Sequence, residues 1–357
     1  MTETPDAARP DDRPSEGGAL RKRRERYAGT HPRRYEHKYK ELAADPAALE
    51  KVRARGMTPA GTHVPILVDE LLEALHLAPG ARGVDATLGY GGHAERVLAA
   101  IAPGGELVGI DVDPLELERT SARLAALGHV APTLRVQRTN FAALARTLGE
   151  IGWSDGVDFV YADLGLSSMQ IDTPGRGFSF KRDEPLDMRM NPARGKPAAE
   201  WLARVDAAEL ERVLAENSDE PRAREIAAAL TARMRRPTTT RALAEEIAAA
   251  LRSRLDDAEC ADAVRRVFQA LRIEVNDELG ALDALLRQLP GALRSGGRAA
   301  ILSFHSGEDR RVKKAFAAGL REGTYRATSD ELVRPSAAER RSNPRSGAAK
   351  LRWAVRA

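Results

Sequence analysis

The feature that most constrains the fold is an alternation of short apolar runs with helical patterns, which begins near residue 63. The apolar runs that read as strands lie at residues 83–86, 107–111, 134–137, 157–163 and 298–303. Helical patterns follow the first three runs, at residues 93–101, 114–127 and 141–148. Strands that alternate with helices in this way form a parallel sheet with helices on both faces. We therefore predict an α/β chain with a Rossmann-like, doubly wound sheet.

A second element is predicted between the fourth and fifth strands, which are roughly 135 residues apart, far more than an ordinary crossover needs. Most of that interval is rich in Ala, Arg, Glu and Leu at helical spacing, as in residues 223–234 and 241–255. This predicts an inserted helical domain. We predict that residues 351–355 form a last strand at the sheet edge and pair with residues 324–328.

These patterns divide the chain into four segments. Residues 1–60 are a basic extension, predicted to be disordered, and residues 61–192 are the first part of the core. Residues 193–289 are the helical insertion, to which we assign substrate recognition, and residues 290–357 complete the core.

The cysteine content excludes several classes of protein. Cys260 is the single cysteine of the 357 residues, so the sequence predicts neither an internal disulfide nor a thiolate zinc site. The seven histidines are scattered without ligand spacing, and no metal is expected. No stretch approaches the length of a membrane span, and no signal peptide is recognisable. We expect a cytoplasmic protein without a membrane partner.

The charge is unevenly distributed. The net charge of the whole chain is +4, and residues 1–60, with 14 basic and 10 acidic residues, account for all of it. Within them, residues 21–40 carry nine basic and two acidic residues, interleaved with tyrosines. This stretch is typical of an arm that contacts phosphates, although a solvated tail explains it equally well.

A glycine-rich turn follows the first strand, as Gly89-Tyr-Gly-Gly-His93. Glycines here let the backbone approach a ligand, and the following helix begins with free N–H groups. Ala94 stands where the dinucleotide fingerprint requires a third glycine, and no P-loop lysine follows.

An acidic residue, Asp111, ends the second strand, where doubly wound folds bind a ribose diol. Asp113 is better explained as a helix N-cap before Pro114. Together with the glycine turn, Asp111 favours an adenosine ligand without phosphate, such as S-adenosylmethionine. A nicotinamide cofactor and a purely structural role remain alternatives.

The fourth strand ends in Asp163, followed closely by Ser167, Ser168 and Gln170. Ligands of open α/β sheets bind at this edge, so a carboxylate and two hydroxyls are candidates for function. The alternative is a capped turn in which the serines start a helix.

Several blocks together resemble the RsmH (MraW) family of ribosomal small-subunit RNA cytosine-N4 methyltransferases. The resemblance extends over about residues 63–356. The blocks are Gly89-Tyr-Gly-Gly-His93, Asp111-Val-Asp-Pro114, Asp163-Leu-Gly-Leu-Ser-Ser168, Arg176-Gly-Phe-Ser-Phe180, Pro185-Leu-Asp-Met-Arg-Met190 and Ser303-Phe-His-Ser306. One departure is Gly307, where many relatives have leucine.

The resemblance implies a class I S-adenosylmethionine-dependent methyltransferase fold with a helical insertion. It implies methylation of N4 of a cytosine in the decoding centre of 16S ribosomal RNA, position 1402 in the usual numbering, with the small subunit as partner. A homodimer is one alternative for the oligomeric state. Carried over by motif, the cofactor contacts are Gly91, Gly92, His93, Asp111, Phe141, Asp163 and Gln170.

Methyl transfer to an exocyclic amine requires positioning and an acceptor for the amine hydrogens. Asp163, with Ser167 and Ser168 behind it, is our candidate for this acceptor. Whether Asp163 contacts the amine or the cofactor is left open. Methylation at C5 requires a thiolate, and Cys260 lies in the insertion, away from every motif. N-methylation is therefore favoured.

A mixture of basic and aromatic residues supplies the candidates for RNA contact. Such a mixture suits a flipped base stacked on an aromatic ring, with phosphates held by Arg. A loop packed into the core, with Asp187 paired to Arg189 or Arg182, is the alternative. The candidates are Arg176, Phe178, Phe180, Arg182, Arg189 and, after the fifth strand, His305.

Two other functions compete with the leading hypothesis. A nicotinamide-dependent oxidoreductase would need the missing third glycine. A non-catalytic RNA-binding or assembly factor on a methyltransferase fold would bind RNA without methyl transfer.

Deletion of residues 1–60 tests the role of the basic extension. If residues 21–40 contact phosphates, the deletion should flatten the salt dependence of RNA affinity, because fewer counterions are released on binding. Affinity for the cofactor should be unchanged. Titrations of RNA and cofactor at several salt concentrations measure both, and an unaltered salt slope would identify a solvated tail.

Overall fold

The computed structural model describes residues 65–232 and 234–357. Residues 1–64, which include the basic extension, lie outside the described part. The described chain contains a seven-stranded sheet of order β3-β2-β1-β4-β5-β7-β6. The first five strands are parallel, and β7 is antiparallel to both of its neighbours. The doubly wound α/β sheet predicted from the sequence is confirmed.

The strands coincide with the apolar runs, because a strand covered on both faces is apolar almost throughout. In β4, for example, Phe159, Val160 and Tyr161 are all fully buried. The strands are β1 (Arg82–Asp85), β2 (Glu106–Asp111), β3 (Leu134–Arg138), β4 (Val157–Asp163), β5 (Leu293–Ser303), β6 (Tyr325–Thr328) and β7 (Lys350–Arg356).

Helices cover both faces of this sheet and bury one apolar face each against it. A 3-10 turn, Phe141–Ala143, precedes the fourth of them, so the pattern predicted as one helix at residues 141–148 is divided. The helices before the insertion are α1 (Val68–Leu75), α2 (Gly92–Ile101), α3 (Pro114–Ala126), α4 (Leu144–Glu150) and α5 (Ser168–Asp172).

Between β4 and β5 the chain forms a helical unit with its own apolar cluster. Helices α6 to α10 bury their apolar residues against one another, among them Leu210, Ile247 and Leu271. Cys260 belongs to this cluster and is buried, as expected of a small apolar side chain. The helices are α6 (Ala198–Arg204), α7 (Ala207–Ser218), α8 (Ala223–Thr231), α9 (Thr240–Leu251) and α10 (Asp257–Asn276).

The next helix, α11 (Glu278–Ala292), packs on the sheet. Leu282, Leu285 and Leu289 lie in one cluster with Val84 and Val160 of the central strands. By its packing the insertion therefore ends at α10, before the predicted boundary at residue 289. Helical spacing alone does not reveal this difference, because α10 and α11 have similar amphipathic patterns.

The carboxyl-terminal part completes the sheet. Helix α12 (Ser306–Arg321) leads to β6, and a short helix, α13 (Ala337–Ser342), precedes β7. The predicted pairing of the last strand with residues 324–328 is confirmed, but β7 also pairs with β5. The edge strand is therefore β6, and β7 lies inside the sheet.

Within the described residues, no helix is both long enough and apolar enough to cross a membrane.

The contact between β1 and β4 allows the pairing of these two strands to be tested by mutation. A Cβ at Gly83 would overlap the ring of Phe159 on the neighbouring strand. We expect Gly83→Ala to lower the free energy of unfolding by about 1–3 kcal/mol, because the buried ring must move. Chemical denaturation measures the change.

Gly149→Ala is the matched control, since Gly149 lies in α4 and its Cβ would meet no neighbour. This substitution should leave stability unchanged or raise it by up to about 1 kcal/mol. Equal stability of the two variants would contradict the described register of β1 and β4.

Candidate active site

A cavity of about 840 Å³ opens at the carboxyl ends of the parallel strands. One wall is the turn after β1 with the ends of β2 and β3, and the other comes from α10, α11 and the start of α12. The cavity thus lies at the predicted edge of the sheet, between the core and the helical insertion.

The glycine turn after β1 lines the cavity. Gly91 has φ 78° and precedes α2, a left-handed conformation that glycine adopts without strain. A Cβ at this position would also press on Thr120 of α3. Gly92 begins α2, and a Cβ at this position would lie 3.2 Å from the ring of Pro65. The turn therefore brings backbone N–H groups of the helix start to the cavity wall.

Asp111 lies beside this turn at the end of β2, as predicted. Its two carboxylate oxygens accept hydrogen bonds from the backbone N–H groups of Gly89, at 2.7 Å, and Asp113, at 2.9 Å. Burial raises the pKa of Asp111 to about 6. The backbone bonds fix the carboxylate at the cavity wall, where its remaining lone pairs can accept hydroxyl groups.

Asp113 is a fully buried carboxylate that connects three segments. As predicted, it caps α3, accepting from the backbone N–H of Leu115 and Glu116. It also accepts from the side chain of Gln170, at 2.8 Å, and from the guanidinium of Arg176, at 2.9 Å. These two contacts between distant segments were not predicted from the sequence.

The side chain of Gln170 is therefore engaged at both ends. Its amide oxygen accepts from the backbone N–H of Ser167, and the hydroxyl of Ser167 accepts from the backbone N–H of Gln170. This capping box starts α5, which is the alternative interpretation of the two serines. Ser168 is the first residue of α5, and Gln170 still lines the cavity.

Asp163 ends β4 and faces the cavity. Among the described residues, no group hydrogen-bonds its buried Oδ1 atom. Burial, followed by the charge of Glu308, raises the pKa of Asp163 to about 7. A buried carboxylate oxygen without a partner is costly, so it marks a site built to receive a hydrogen-bond donor.

His93 lies next to Asp163, with its Nδ1 atom 3.5 Å from Oδ2 of the carboxylate. Its Nε2 atom is 2.9 Å from the carbonyl oxygen of Ile66, to which it donates. Burial lowers the pKa of His93. The ring is thus neutral, and the lone pair on Nδ1 suits a protonated Asp163.

A second buried carboxyl group, Asp85, lies beneath this pair. It accepts from the hydroxyl of Tyr161 at 2.7 Å and from the backbone N–H of Thr87 at 3.0 Å. Burial raises the pKa of Asp85 to about 7. The sequence analysis gave Asp85 no role, since a strand-end aspartate carries no distinctive signal.

Phe141 lines the cavity at the start of the 3-10 turn that follows β3. Asn140 caps this turn through the backbone N–H of Ala142. Gln288 of α11 holds it from the other side, donating to the carbonyl of Ala142 and accepting from the backbone N–H of Ala145. The ring is therefore set in a turn fixed by two amide side chains.

The residues predicted to contact RNA are divided by the structure. Arg176 is buried, and besides binding Asp113 it donates to the carbonyls of Arg189 and Met190. Phe178 and Phe180 pack against the apolar cluster of the insertion. For these three side chains the structure matches the alternative, a loop packed into the interior.

The two other arginines of this block are paired with acids. Arg182 binds Glu184, and Arg189 binds Asp187 with both of its donor nitrogens at 2.7 Å. Arg189 lines the cavity, so of this block it is the cation best placed to meet a ligand. The paired arrangement holds the pKa of Asp187 below its usual value against the opposing effect of burial.

Met188 shows how the loop is held in place. Its φ of 62° is unusual for a residue with a side chain, and the side chain is buried in the insertion cluster. Asn276, at the end of α10, donates to the carbonyl of Met188 and accepts from the backbone N–H of Met190. The insertion thus positions Arg189 and Met190 at the cavity.

The insertion also contributes Arg272, which pairs with Glu278 at 2.7 Å. Both residues line the cavity. The sequence analysis missed Arg272, Asn276 and Glu278, because residues on long helices without a motif cannot be distinguished from an ordinary polar face. His305, in contrast, lies as predicted after β5 and lines the same cavity.

No group of three or more His, Cys, Asp or Glu side chains is arranged to hold a metal within residues 65–232 and 234–357.

Comparison with known proteins gives a consistent result. The family model described as "MraW methylase family" matches residues 60–357. Ribosomal RNA small subunit methyltransferase H 1 of Lachnoclostridium phytofermentans is 47% identical over 347 residues, covering 95% of this chain and 94% of that protein. Ribosomal RNA small subunit methyltransferase H 2 of Alkaliphilus metalliredigens is 47% identical, covering 94% of this chain and 98% of that protein.

The extent of these matches bears on the basic extension. An alignment over 95% of the chain reaches well into residues 1–60, beyond the start of the family model. The protein of Myxococcus xanthus with the corresponding name is 42% identical and covers 81% of this chain. The extension is therefore shared with some of the relatives.

Asp163 predicts a pH dependence of stability. Its pKa is about 7 in the folded protein and near 3.8 in the unfolded chain, so the folded state binds more protons between these pH values. Stability from this group therefore falls as pH rises through that window and stays lost above it. We expect Asp163→Asn to be more stable than the wild type at pH 8 by roughly 1–4 kcal/mol, and equally stable near pH 4.

Urea unfolding at several pH values measures this difference. Asp330→Asn is the matched control, because Asp330 is exposed. A stability difference for Asp163→Asn that does not change with pH would contradict the assigned protonation of Asp163.

Proposed function

The chain belongs to the MraW methylase family, and from that premise we propose that it methylates ribosomal RNA of the small subunit with S-adenosylmethionine as donor. The finer assignment is N4 of the cytosine at position 1402 of 16S RNA. The named relatives, which are small-subunit RNA methyltransferases, support this substrate. A cytoplasmic location follows from it.

The observation that carries the proposal is the position of Asp163. Asp163 lines a cavity that has the glycine turn and Asp111 on one side and the helical insertion on the other, and its buried Oδ1 has no hydrogen-bond partner among the described residues. A donor group is needed at this oxygen, and an exocyclic amine supplies one. The cavity is also large enough for two ligands side by side.

The chain's own residues fit the cofactor. Asp111 is a fixed acceptor for the ribose hydroxyls, and Phe141 offers a ring face to the base. No phosphate site is required, which agrees with the missing third glycine at Ala94. When bound, S-adenosylmethionine supplies an electrophilic methyl group on a sulfonium.

The remaining chemistry is positioning of the nucleophile. The lone pair of N4 in cytosine is delocalised into the ring, so a hydrogen-bond acceptor on the amine favours the geometry that attacks. We assign this acceptor to Asp163. Arg189 and the insertion close the opposite wall and exclude water around the base.

Cysteine chemistry supports N4 over C5. Methylation at C5 requires a thiolate next to the base, and Cys260 is buried in the insertion cluster and does not line the cavity. Without such a thiolate, direct transfer to the amine is the reaction that this site favours.

Incubation with labelled S-adenosylmethionine and small subunits that lack the modification tests the proposal. Nucleoside mass spectrometry of the digested RNA should find the label on N4 of one cytosine. Asp163→Ala should lower the rate by about 100-fold or more, since the amine loses its acceptor. Cys260→Ala is the control and should retain full activity.

Label at C5 or on protein would contradict the assignment. Thermal shift by NAD in place of S-adenosylmethionine would favour an oxidoreductase, and RNA binding without transfer would favour an assembly factor.

A further inference from the structure

We propose that His305 is the base that takes up the proton released by the target amine, with Glu308 as the residue that orients it. This rests on the proposed function and specifies one step of it. The reaction requires that this proton be released. Asp163 holds the amine, and a second group is needed to accept the proton.

The balance of the reaction shows why a base is needed. The amine nitrogen forms a bond to the methyl carbon while the carbon–sulfur bond breaks, and the sulfur keeps the electron pair of that bond. The nitrogen then carries a positive charge and one more hydrogen than it has in the neutral methylated product. One proton must therefore pass to an acceptor and then to solvent.

The strand register brings His305 and Asp163 to the same edge of the sheet. In the parallel pair of β4 and β5, Asp163 lies opposite Leu302, and the backbone N–H of Leu164 donates to the carbonyl of Leu302. His305 follows β5 by two residues, and its side chain lines the same cavity as that of Asp163. A cytosine held by Asp163 therefore shares the cavity with His305.

The ring of His305 is arranged like a base with an orienting acid. Its Nε2 atom lies 3.1 Å from Oε1 of Glu308, which favours the proton on Nε2 and leaves the lone pair on Nδ1. The side chain is 10% exposed, both ring nitrogens are buried, and within the described part of the chain neither makes a hydrogen bond beyond the ion-pair contact of Nε2 with Glu308. This is the arrangement expected of a proton acceptor.

Gly307 lies beside Nδ1. A Cβ at this position would lie 3.1 Å from Nδ1, closer than ordinary contact. A side chain here would therefore press on the buried nitrogen, while Glu308 contacts the other side of the ring.

Glu308 is held as a carboxylate. Burial alone would raise its pKa, but the bond and charge of His305, the backbone N–H of Phe304 and the charge of Arg272 lower it overall. Its Oε2 atom accepts from the backbone N–H of Phe304 at 2.8 Å. A fixed negative charge beside the ring stabilises the imidazolium that forms when His305 takes the proton.

Charged groups of both signs surround His305. Asp219, which follows α7, contacts Ser306 and Arg310 of α12. The charge of His305 contributes to lowering the pKa of the Asp219 carboxyl group. Asp163 faces Glu308 from β4, and Arg272 faces it from α10. Ser306 is exposed, so the proton has a short route to solvent.

Single-turnover methylation of small subunits between pH 5.5 and 9 tests the proposal. The wild-type rate should rise with pH to a plateau, as expected of general-base catalysis. His305→Asn should lower the plateau about 10–100-fold and abolish the rise. Glu308→Gln should also lower the plateau, because the imidazolium loses its partner.

Binding and rescue separate this role from a structural one. The affinities of His305→Asn for S-adenosylmethionine and for small subunits, measured by titration, should stay within about twofold of the wild type. Imidazole added to His305→Ala should restore part of the rate. His129→Asn, a histidine that does not line the cavity, is the matched control and should behave as the wild type.

Three results would overturn the proposal. The first is a wild-type rate and pH profile in His305→Asn, and the second is a loss of rate accompanied by an equal loss of affinity or of folding. The third is a rise with pH that disappears in Asp163→Asn but persists in His305→Asn, which would give the proton to Asp163. Absence of methyl transfer by the wild type would instead refute the proposed function.

Discussion

The site depends on the buried carboxylate of Asp113. It begins α3, holds Gln170 at the start of α5, and neutralises the guanidinium of Arg176, which in turn binds the carbonyls of Arg189 and Met190. The charge of Arg176 is buried with it, so losing one partner would leave the other unpaired, at a typical cost of about 3–5 kcal/mol. One side chain thus links the cofactor side of the cavity to the loop that closes it.

The cavity concentrates carboxyl groups whose burial disfavours their charge. Asp85, Asp111 and Asp163 all have raised pKa values, and each lies at the end of a parallel strand. A core built for stability alone would not gather unneutralised acids at one edge. The arrangement is explicable if the site receives ligands that donate hydrogen bonds and carry positive charge, which relieve this cost when they bind.

Local patterns predicted the parts of the structure that depend on local physics. The strands followed from apolar runs, and the role of Asp113 as N-cap before Pro114 followed from capping preferences. The contacts of the same carboxylate with Gln170 and Arg176, 57 and 63 residues away, were not predictable, because burial and partner choice arise only in the folded chain. For the same reason Arg176 was assigned to RNA, and the contribution of Asn276 from the insertion was not foreseen.

The first described residues form part of the cavity wall. Pro65 and Ile66 line the cavity, and the side chain of Glu339 in α13 accepts a hydrogen bond from the backbone N–H of Leu67 at 2.9 Å. The described chain therefore begins at the wall of the active site. A short helix near the carboxyl end fixes that beginning, so the first and last parts of the described chain shape the site together.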